Sequence, residues 1–348
     1  MKKILVSLLI LTLFLPSTFI NGEEVDTKDT ITISIVGDVL MDGYVRSQIN
    51  KNGYGYPWEK VKDYFHEDNL TIANLETSIT TRGKKWPNKQ FNFRSHPQNF
   101  KYMKESGIDV ITIANNHILD YSDQGFLDTL DHLEKNQIPY AGGGRNRKEA
   151  LQGITIEVED LKIGILAFSR VIPDVKWYAT DKRAGIVGAY DGYTQDMMKR
   201  IKEMKEETDI IVLSIHWGVE RSTEPRKQEM NLAKAAIDAG VDVVMGHHPH
   251  VLQGIEIYSG KPIFYSLGNF VFGGRDKMTR TTMVGQINIR DRKVDSVKII
   301  PCNIVNGRPI PVEGMEKDEA INYINSLSKA FKVSFDKDGI MNLMRDKI

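Results

Sequence analysis

The sequence predicts an α/β fold, and two observations predict it. Short β-branched apolar runs recur along the chain, each closing on polar residues, and amphipathic helical stretches lie between them. Strand alternating with helix is the pattern of an α/β core. Neither an internal repeat nor a low-complexity linker breaks the alternation, so residues 31–348 read as one domain.

In order, Ile31–Val36 precedes Gly37-Asp38, Leu70–Ala73 leads to Asn74-Leu75-Glu76, and Val110–Ala114 leads to Asn115-Asn116-His117. Ile163–Phe168 follows. Ile210–Ile215 ends at His216-Trp217-Gly218, Val241–Met245 at Gly246-His247-His248-Pro249-His250, and Ile263–Leu267 at Gly268-Asn269-Phe270. Continuous apolar runs of this length read as buried strands. Helices are predicted over Phe100–Ser106, over Gln124–Lys135 with Ser122 as cap, over Asp196–Glu207, and over Gln228–Ala239, which Gly240 stops. From Met283 to Val305 the pattern becomes strand–turn–strand around Asp291-Arg292-Lys293, an antiparallel hairpin at a sheet edge. Lys317–Leu327 is a closing helix.

Ahead of this lies a targeting segment. Met1-Lys2-Lys3 is basic, and Ile4–Leu15 is an apolar run closed by Pro16, the size of a signal-peptide core and short for a membrane span. Extending the run to Ile20 leaves an uncleaved anchor open. Residues 1–22 are therefore a signal peptide or N-terminal membrane anchor and 23–30 a linker. The folded part is expected outside the cytoplasm, secreted or held at the outer face of the membrane.

Composition removes several function classes. Lys+Arg 46 against Asp+Glu 46 gives a formal net charge of +0, which argues against a dedicated nucleic-acid binder, and no nucleic-acid partner is expected. The single cysteine, Cys302, excludes a disulfide scaffold and any thiolate-rich metal site, and reads as a small core residue.

In open α/β sheets, chemistry collects beyond the carboxyl ends of strands. Five such ends deliver Asp38, Glu76, Asn116 with His117, His216, and His248 with His250. Of the eight histidines, only His66, His96 and His132 fall elsewhere. Carboxylate, amide oxygen and imidazole together suit Mn, Fe or Zn. Pro249 disfavours helix at His248, so the segment is expected to be extended. Residues i and i+2 would then face the same way roughly 7 Å apart, pairing His248 with His250 and turning His247 away.

This ordered set of motifs resembles the bacterial capsule-synthesis proteins of the CapA/PgsA type, associated with poly-γ-glutamate capsules. Through them it is similar to the calcineurin-like metallophosphoesterases. The resemblance runs from about Ile31 to the C-terminus. It implies a four-layer α/β/β/α sandwich with two mixed sheets and one or two divalent ions at the strand ends. By the same resemblance, Asp38 is the first metal carboxylate, Glu76 stands at the bridging carboxylate, Asn116 is the amide ligand, and His216, His248 and His250 are the imidazole ligands. His117 matches the acid that protonates a leaving group, and Asp120, about one helical turn on, is placed to orient it. Two motifs depart. Asp-x-His of the superfamily is here Asp38-Val39-Leu40, and Gly-Asp is replaced by Ala73-Asn74-Leu75-Glu76. One metal position is left short of an imidazole unless water or Asp42 completes it; otherwise Asp42 is a solvated loop acid.

Weaker signals remain. Arg82–Arg94 holds five basic residues and no acid, interleaved with Trp86, Phe91 and Phe93. It reads either as a receiver of polyanion or as a solvated loop with its Phe residues packed inward. Gly142-Gly143-Gly144-Arg145 lacks the Gly-Lys-Ser/Thr of a phosphate loop and reads as a turn before a helix. Trp217 either stacks over substrate or walls the site, and Glu220 either supports a ligand or faces solvent. Two functions compete. One is a metal-dependent hydrolase of a phosphoester or related bond serving capsule or poly-γ-glutamate assembly. The other is a metal-stabilised scaffold helping a membrane synthase export or attach polymer. The expected partners are an anionic polymer such as poly-γ-glutamate, a phosphorylated substrate, or synthase subunits.

Overall fold

The computed structural model describes residues 30–343. The expected signal or anchor and residues 23–29 of the linker lie outside them. Among the described residues, no helix is long and apolar enough to cross a membrane.

Two mixed sheets stack face to face. The first runs in the order Arg308–Pro311, Lys293–Val305, Thr281–Arg290, Ile31–Val39, Leu70–Leu75, Val110–Thr112, Tyr140–Ala141. Ile31–Val39 is parallel to Leu70–Leu75 and antiparallel to Thr281–Arg290. The second sheet runs Ile255–Tyr258, Lys261–Phe264, Val243–His247, Ile210–His216, Leu161–Ser169, Ile154–Val158.

Alternation along each strand decides what each face meets. Ile33, Ile35, Ile72 and Val110 of the first sheet share one buried cluster with Ile163, Ile165, Val212, Val243 and Met245 of the second. The intervening residues face outward. Ala73, Leu75, Ile111 and Ile113 pack with Phe100, Met103, Phe126 and Leu130 of two helices. Leu213, Ile215 and Val244 pack with Met197, Ile201, Ala233 and Ile237 of two others. The layers are thus helix, sheet, sheet, helix, the four-layer sandwich expected. Each fully buried Ile contributes about 1.5–3 kcal/mol of transfer free energy, so the inter-sheet cluster and the two under the outer helices all hold the layers together.

Some local expectations change. Tyr121, not Ser122, is the N-cap of Ser122–Lys135; Ser122 sits at φ 60° and its Oγ donates to Lys84 O at 2.9 Å. The hairpin Thr281–Arg290/Lys293–Val305 turns through Asp291 and Arg292 at φ 51° and 58°, the left-handed pair a two-residue turn requires. It lies one strand inside the edge, because Arg308–Pro311 pairs beyond it. Cys302 is buried in the core.

Candidate metal centre

The alternation that builds the inter-sheet core also delivers the polar residues. Ile72 and Asn74 set the parity that Glu76 continues, and Val110, Thr112 and Ala114 set the one that Asn116 continues. Val212 leads to Ser214 and His216, and Val243 and Met245 lead to His247. Where strands outrun the apolar core, the same face becomes polar.

Asp38 needs a correction of register. Parity from Ile33 and Ile35 would bring Gly37, not Asp38, to the inter-sheet face. A bulge between Val36 and Asp38 shifts the pairing with Leu70–Leu75 and turns Asp38 inward. Gly37 is required there, since a Cβ would collide with the Gly268 carbonyl oxygen.

The six expected ligands converge at this end of the sandwich. His216 Nε2 lies 2.7 Å from Asn116 Oδ1 and 3.4 Å from Glu76 Oε1. His250 Nδ1 lies 3.4 Å from Asp38 Oδ2 and 3.8 Å from Glu76 Oε2. The His248 backbone N–H donates to Asp38 Oδ2 at 3.2 Å, and the rings of His248 and His250 are 5.8 Å apart. Glu76, His248 and His250 can each offer one ligand atom within 4.8 Å of the others, a cluster able to hold a metal ion. His117 Nδ1 is 2.7 Å from Asp120 Oδ2.

The His segment is not extended. His248 and His250 take φ of 96° and 57°, so spacing by two along a strand is not what brings them together. His247 is the last residue of its strand and is not turned away: it is fully buried, with Nδ1 3.1 Å from Asp38 Oδ1. That contact has pairing distance without hydrogen-bond alignment.

A cation fits this donor set. Both Glu76 oxygens, both His247 nitrogens, His216 Nδ1 and His248 Nδ1 are buried without a hydrogen-bond partner among the described residues. Leaving such groups unmet costs about 1–3 kcal/mol each, and more for a charge. Burial alone would raise Asp38, but His247 and His250 beside it bring it well below the usual carboxylate range. Burial and the Asp38 charge push Glu76 well above it. Burial lowers His216 and His117, the latter against the pull of Asp120. His248 falls to about 3 through burial and the neighbouring His250. For His250 burial opposes charge, yet Glu76 and Asp38 outweigh it and raise the ring to about 9. Buried carboxylates and imidazoles that keep several atoms unpartnered and are pushed apart in this way make a candidate functional site.

Other residues support the centre that motif spacing did not single out. Asn74 Nδ2 donates to Asp38 Oδ1 at 2.8 Å, and Asn269 Oδ1 lies 2.9 Å from His250 Nδ1. Asn115 Oδ1 accepts from the His117 N–H at 3.1 Å. The signal for these was present in the strand-end Asn-Leu-Glu and Asn-Asn-His runs, read only for Glu76, Asn116 and His117, and in the Gly-Asn-Phe run, from which no site residue was drawn. Asp42 takes neither role foreseen: with 13% of its side chain exposed it is no solvated loop acid, but caps Gly43–Asn52, accepts from Arg94 N–H at 2.8 Å and pairs with Arg46. Trp217 is fully buried, its Nε1–H on Tyr265 O at 2.9 Å, and Glu220 is exposed. Trp217 is therefore a core wall, not a stacking platform.

Residues 32–274 match the family model described as bacterial capsule synthesis protein PGA_cap. The chain belongs to this family. Among relatives, the capsule biosynthesis protein CapA of Bacillus anthracis is 30% identical over 82% of this chain and 70% of that protein. The PGA biosynthesis protein CapA of Bacillus subtilis is 32% identical over 82% of this chain and 75% of its own length. Among solved structures, a 5'-nucleotidase from Candida albicans aligns at TM-score 0.44 and 13% identity, covering 88% of this chain and 55% of that one. SoxB, a sulfate thiohydrolase of Thermus thermophilus, aligns at 0.42 and 11%, covering 82% and 45%. Both scores lie under 0.5, and the geometry of the centre stands without them.

Proposed function

We propose that the chain is a metal-dependent hydrolase of the metallophosphoesterase type, working outside the cytoplasm in capsule or poly-γ-glutamate assembly. The observation that carries this is a buried donor set left unpartnered next to a His117–Asp120 pair. Asp38, Glu76, Asn116, His216, His248 and His250 would hold one or two divalent ions. His247 supplies beside Asp38 the imidazole that Asp38-Val39-Leu40 lacks. A divalent ion bound there supplies an activated water near neutral pH and stabilises charge on the group being transferred.

The residues of the chain do the rest. Asn74 and the His248 N–H hold the two Asp38 oxygens in place. Asn115 fixes the His117 backbone and Asp120 fixes its ring, so Nε2 is the nitrogen left to hand a proton to a leaving oxygen. Lys89, the one basic residue of Arg82–Arg94 seen pairing with Asp120, brings positive charge to this side of the centre, where an anionic substrate would enter. The location outside the cytoplasm rests on the Met1–Ile20 pattern alone.

The test is His117→Ala. Turnover of an aryl phosphodiester should fall about 10²–10⁴-fold, the worth of a positioned proton donor, with metal content unchanged. Should the metal-loaded wild type hydrolyse no phosphoester while His117→Ala still supports capsule in cells, the hydrolase reading fails and the scaffold reading replaces it.

A further inference from the structure

The basic stretch 82–94 spends its cations unequally. Arg82 pairs with Asp128, and Lys89 with Asp120. Arg94 has no acid of its own. Its half-buried guanidinium lies over the Tyr121 ring at 4.5 Å and makes no hydrogen bond or ion pair among the described residues. Asp42 is spent elsewhere, with Oδ1 on the Arg46 guanidinium at 2.7 Å and Oδ2 on the Arg94 backbone N–H at 2.8 Å. Arg46 also donates to the Arg94 carbonyl. Two guanidinium groups thus share one carboxylate, and one positive charge is left over.

Arg46 and Arg94 line a cavity of about 250 Å³ together with Tyr54, Ser95, His96 and Asn99. Ser95 and Asn99 are only 1% and 2% exposed, yet Ser95 Oγ and Asn99 Oδ1 have no hydrogen-bond partner among the described residues. Asn99 Nδ2 donates to His96 O at 3.0 Å, so the unmet atom of this amide is its acceptor. A buried acceptor without a donor is costly, as is a cation held from water without an anion. Tyr54 packs against the rings of Tyr102 and His96, at 5.7 and 5.8 Å, and gives the cavity an aromatic side. An oxyanion with an N–H beside it and a short apolar linker complements this wall. A carboxylate-bearing polyamide repeats those three groups, whereas a polyphosphate backbone has no N–H.

The cavity adjoins the metal centre. Its strand Arg94–Ser95 pairs with Ser78–Ile79, which begins two residues beyond Glu76. Phe93 sets its ring 4.8 Å from that of His117, and the next residue, Arg94, lines the cavity.

We propose that the cavity around Arg94 is a second subsite, which binds one carboxylate and the adjoining amide of an acidic polyamide chain whose further part lies across the metal centre. This rests on the polymer role proposed above, though not on hydrolysis. The planar fork of Arg94 takes the carboxylate, Asn99 Oδ1 accepts the amide N–H, and Tyr54 covers the methylene groups between them.

The experiment is calorimetric titration of a γ-linked glutamate pentamer into the zinc-loaded full chain. The wild type should bind, and Arg94→Gln should weaken binding at least about tenfold, the worth of a charge-assisted hydrogen bond. Arg94→Lys, which keeps the charge without the fork, should fall between the two. Thr81→Glu puts an acid at an exposed position of the rim and should weaken binding as well, which keeps the test open if Arg94→Gln fails to fold. A wild type that does not bind, or an affinity that neither Arg94→Gln nor Thr81→Glu moves, overturns the proposal. Inorganic phosphate that binds as tightly, with the same dependence on Arg94, overturns the polyamide assignment and makes the cavity a phosphate site. Hydrolysis is read separately. An aryl phosphodiester turned over by a protein that ignores the pentamer sinks the subsite and keeps the hydrolase; Arg94-dependent binding without turnover does the reverse.

Discussion

At the scale of the residue, His250 couples the centre to pH. Burial disfavours its charge, but Glu76 and Asp38 keep it protonated up to about 9, above its ordinary 6.5. A histidine raised in this way stabilises the metal-free fold fully below the unfolded value, and that contribution is lost as pH climbs through about 9. A metal needs the neutral ring, so loading must expel the proton. Titrating zinc into weakly buffered protein near pH 7.5 should therefore release roughly one proton per ion or more. An indicator dye reads it, and His250→Ala should release fewer. His247 marks where residue-level reading fell short. Strand parity from Val243 and Met245 places it between the sheets, but parity needs the strand's true end, and Pro249 suggested an extended chain through His250. The backbone instead turns left-handed at His248. By contrast Asp38, Glu76, Asn116, His216, His248 and His250 were legible because each follows an apolar run that ends where the core ends.

At the scale of the element, two glycines set how closely the ligand-bearing strands approach their neighbours. Gly37 lies against the Gly268 carbonyl, and Gly246 against the Tyr265 carbonyl. Both abut the segment that links Lys261–Phe264 to Asn269–Val271, so one connection braces the ends of a strand from each sheet. Gly37→Ala should destabilise the protein by about 2 kcal/mol or more, because backbone rather than a flexible side chain blocks the added methyl. Urea unfolding measures it; a loss below about 0.5 kcal/mol would mean the bulge relaxes freely. The strands and helices were largely legible for this reason of period. Their ends were not: Val110–Thr112 stops short of Ala114, and Ser122–Lys135 begins without a side-chain cap. Ends depend on pairing partners and caps, which lie far away in sequence.

At the scale of the whole molecule, one core joins both sheets while separate cores lie under the outer helices. Trp58 reports on one outer layer and Trp217 on the other, and both are fully buried. Variants retaining only Trp58 or only Trp217 should unfold at the same denaturant midpoint, since neither sheet keeps its inner face covered without the other. Two midpoints would show the layers to be independent. The centre inherits this division. Asp38, Glu76 and Asn116 come from the first sheet, and His216, His247, His248 and His250 from the second. The oxygen donors are thus made early in synthesis and the imidazoles late. A chain leaving the ribosome carries carboxylates without their nitrogen partners until residue 250 has emerged. An ion held by both sets of donors would accordingly be captured only by a chain whose halves have already met.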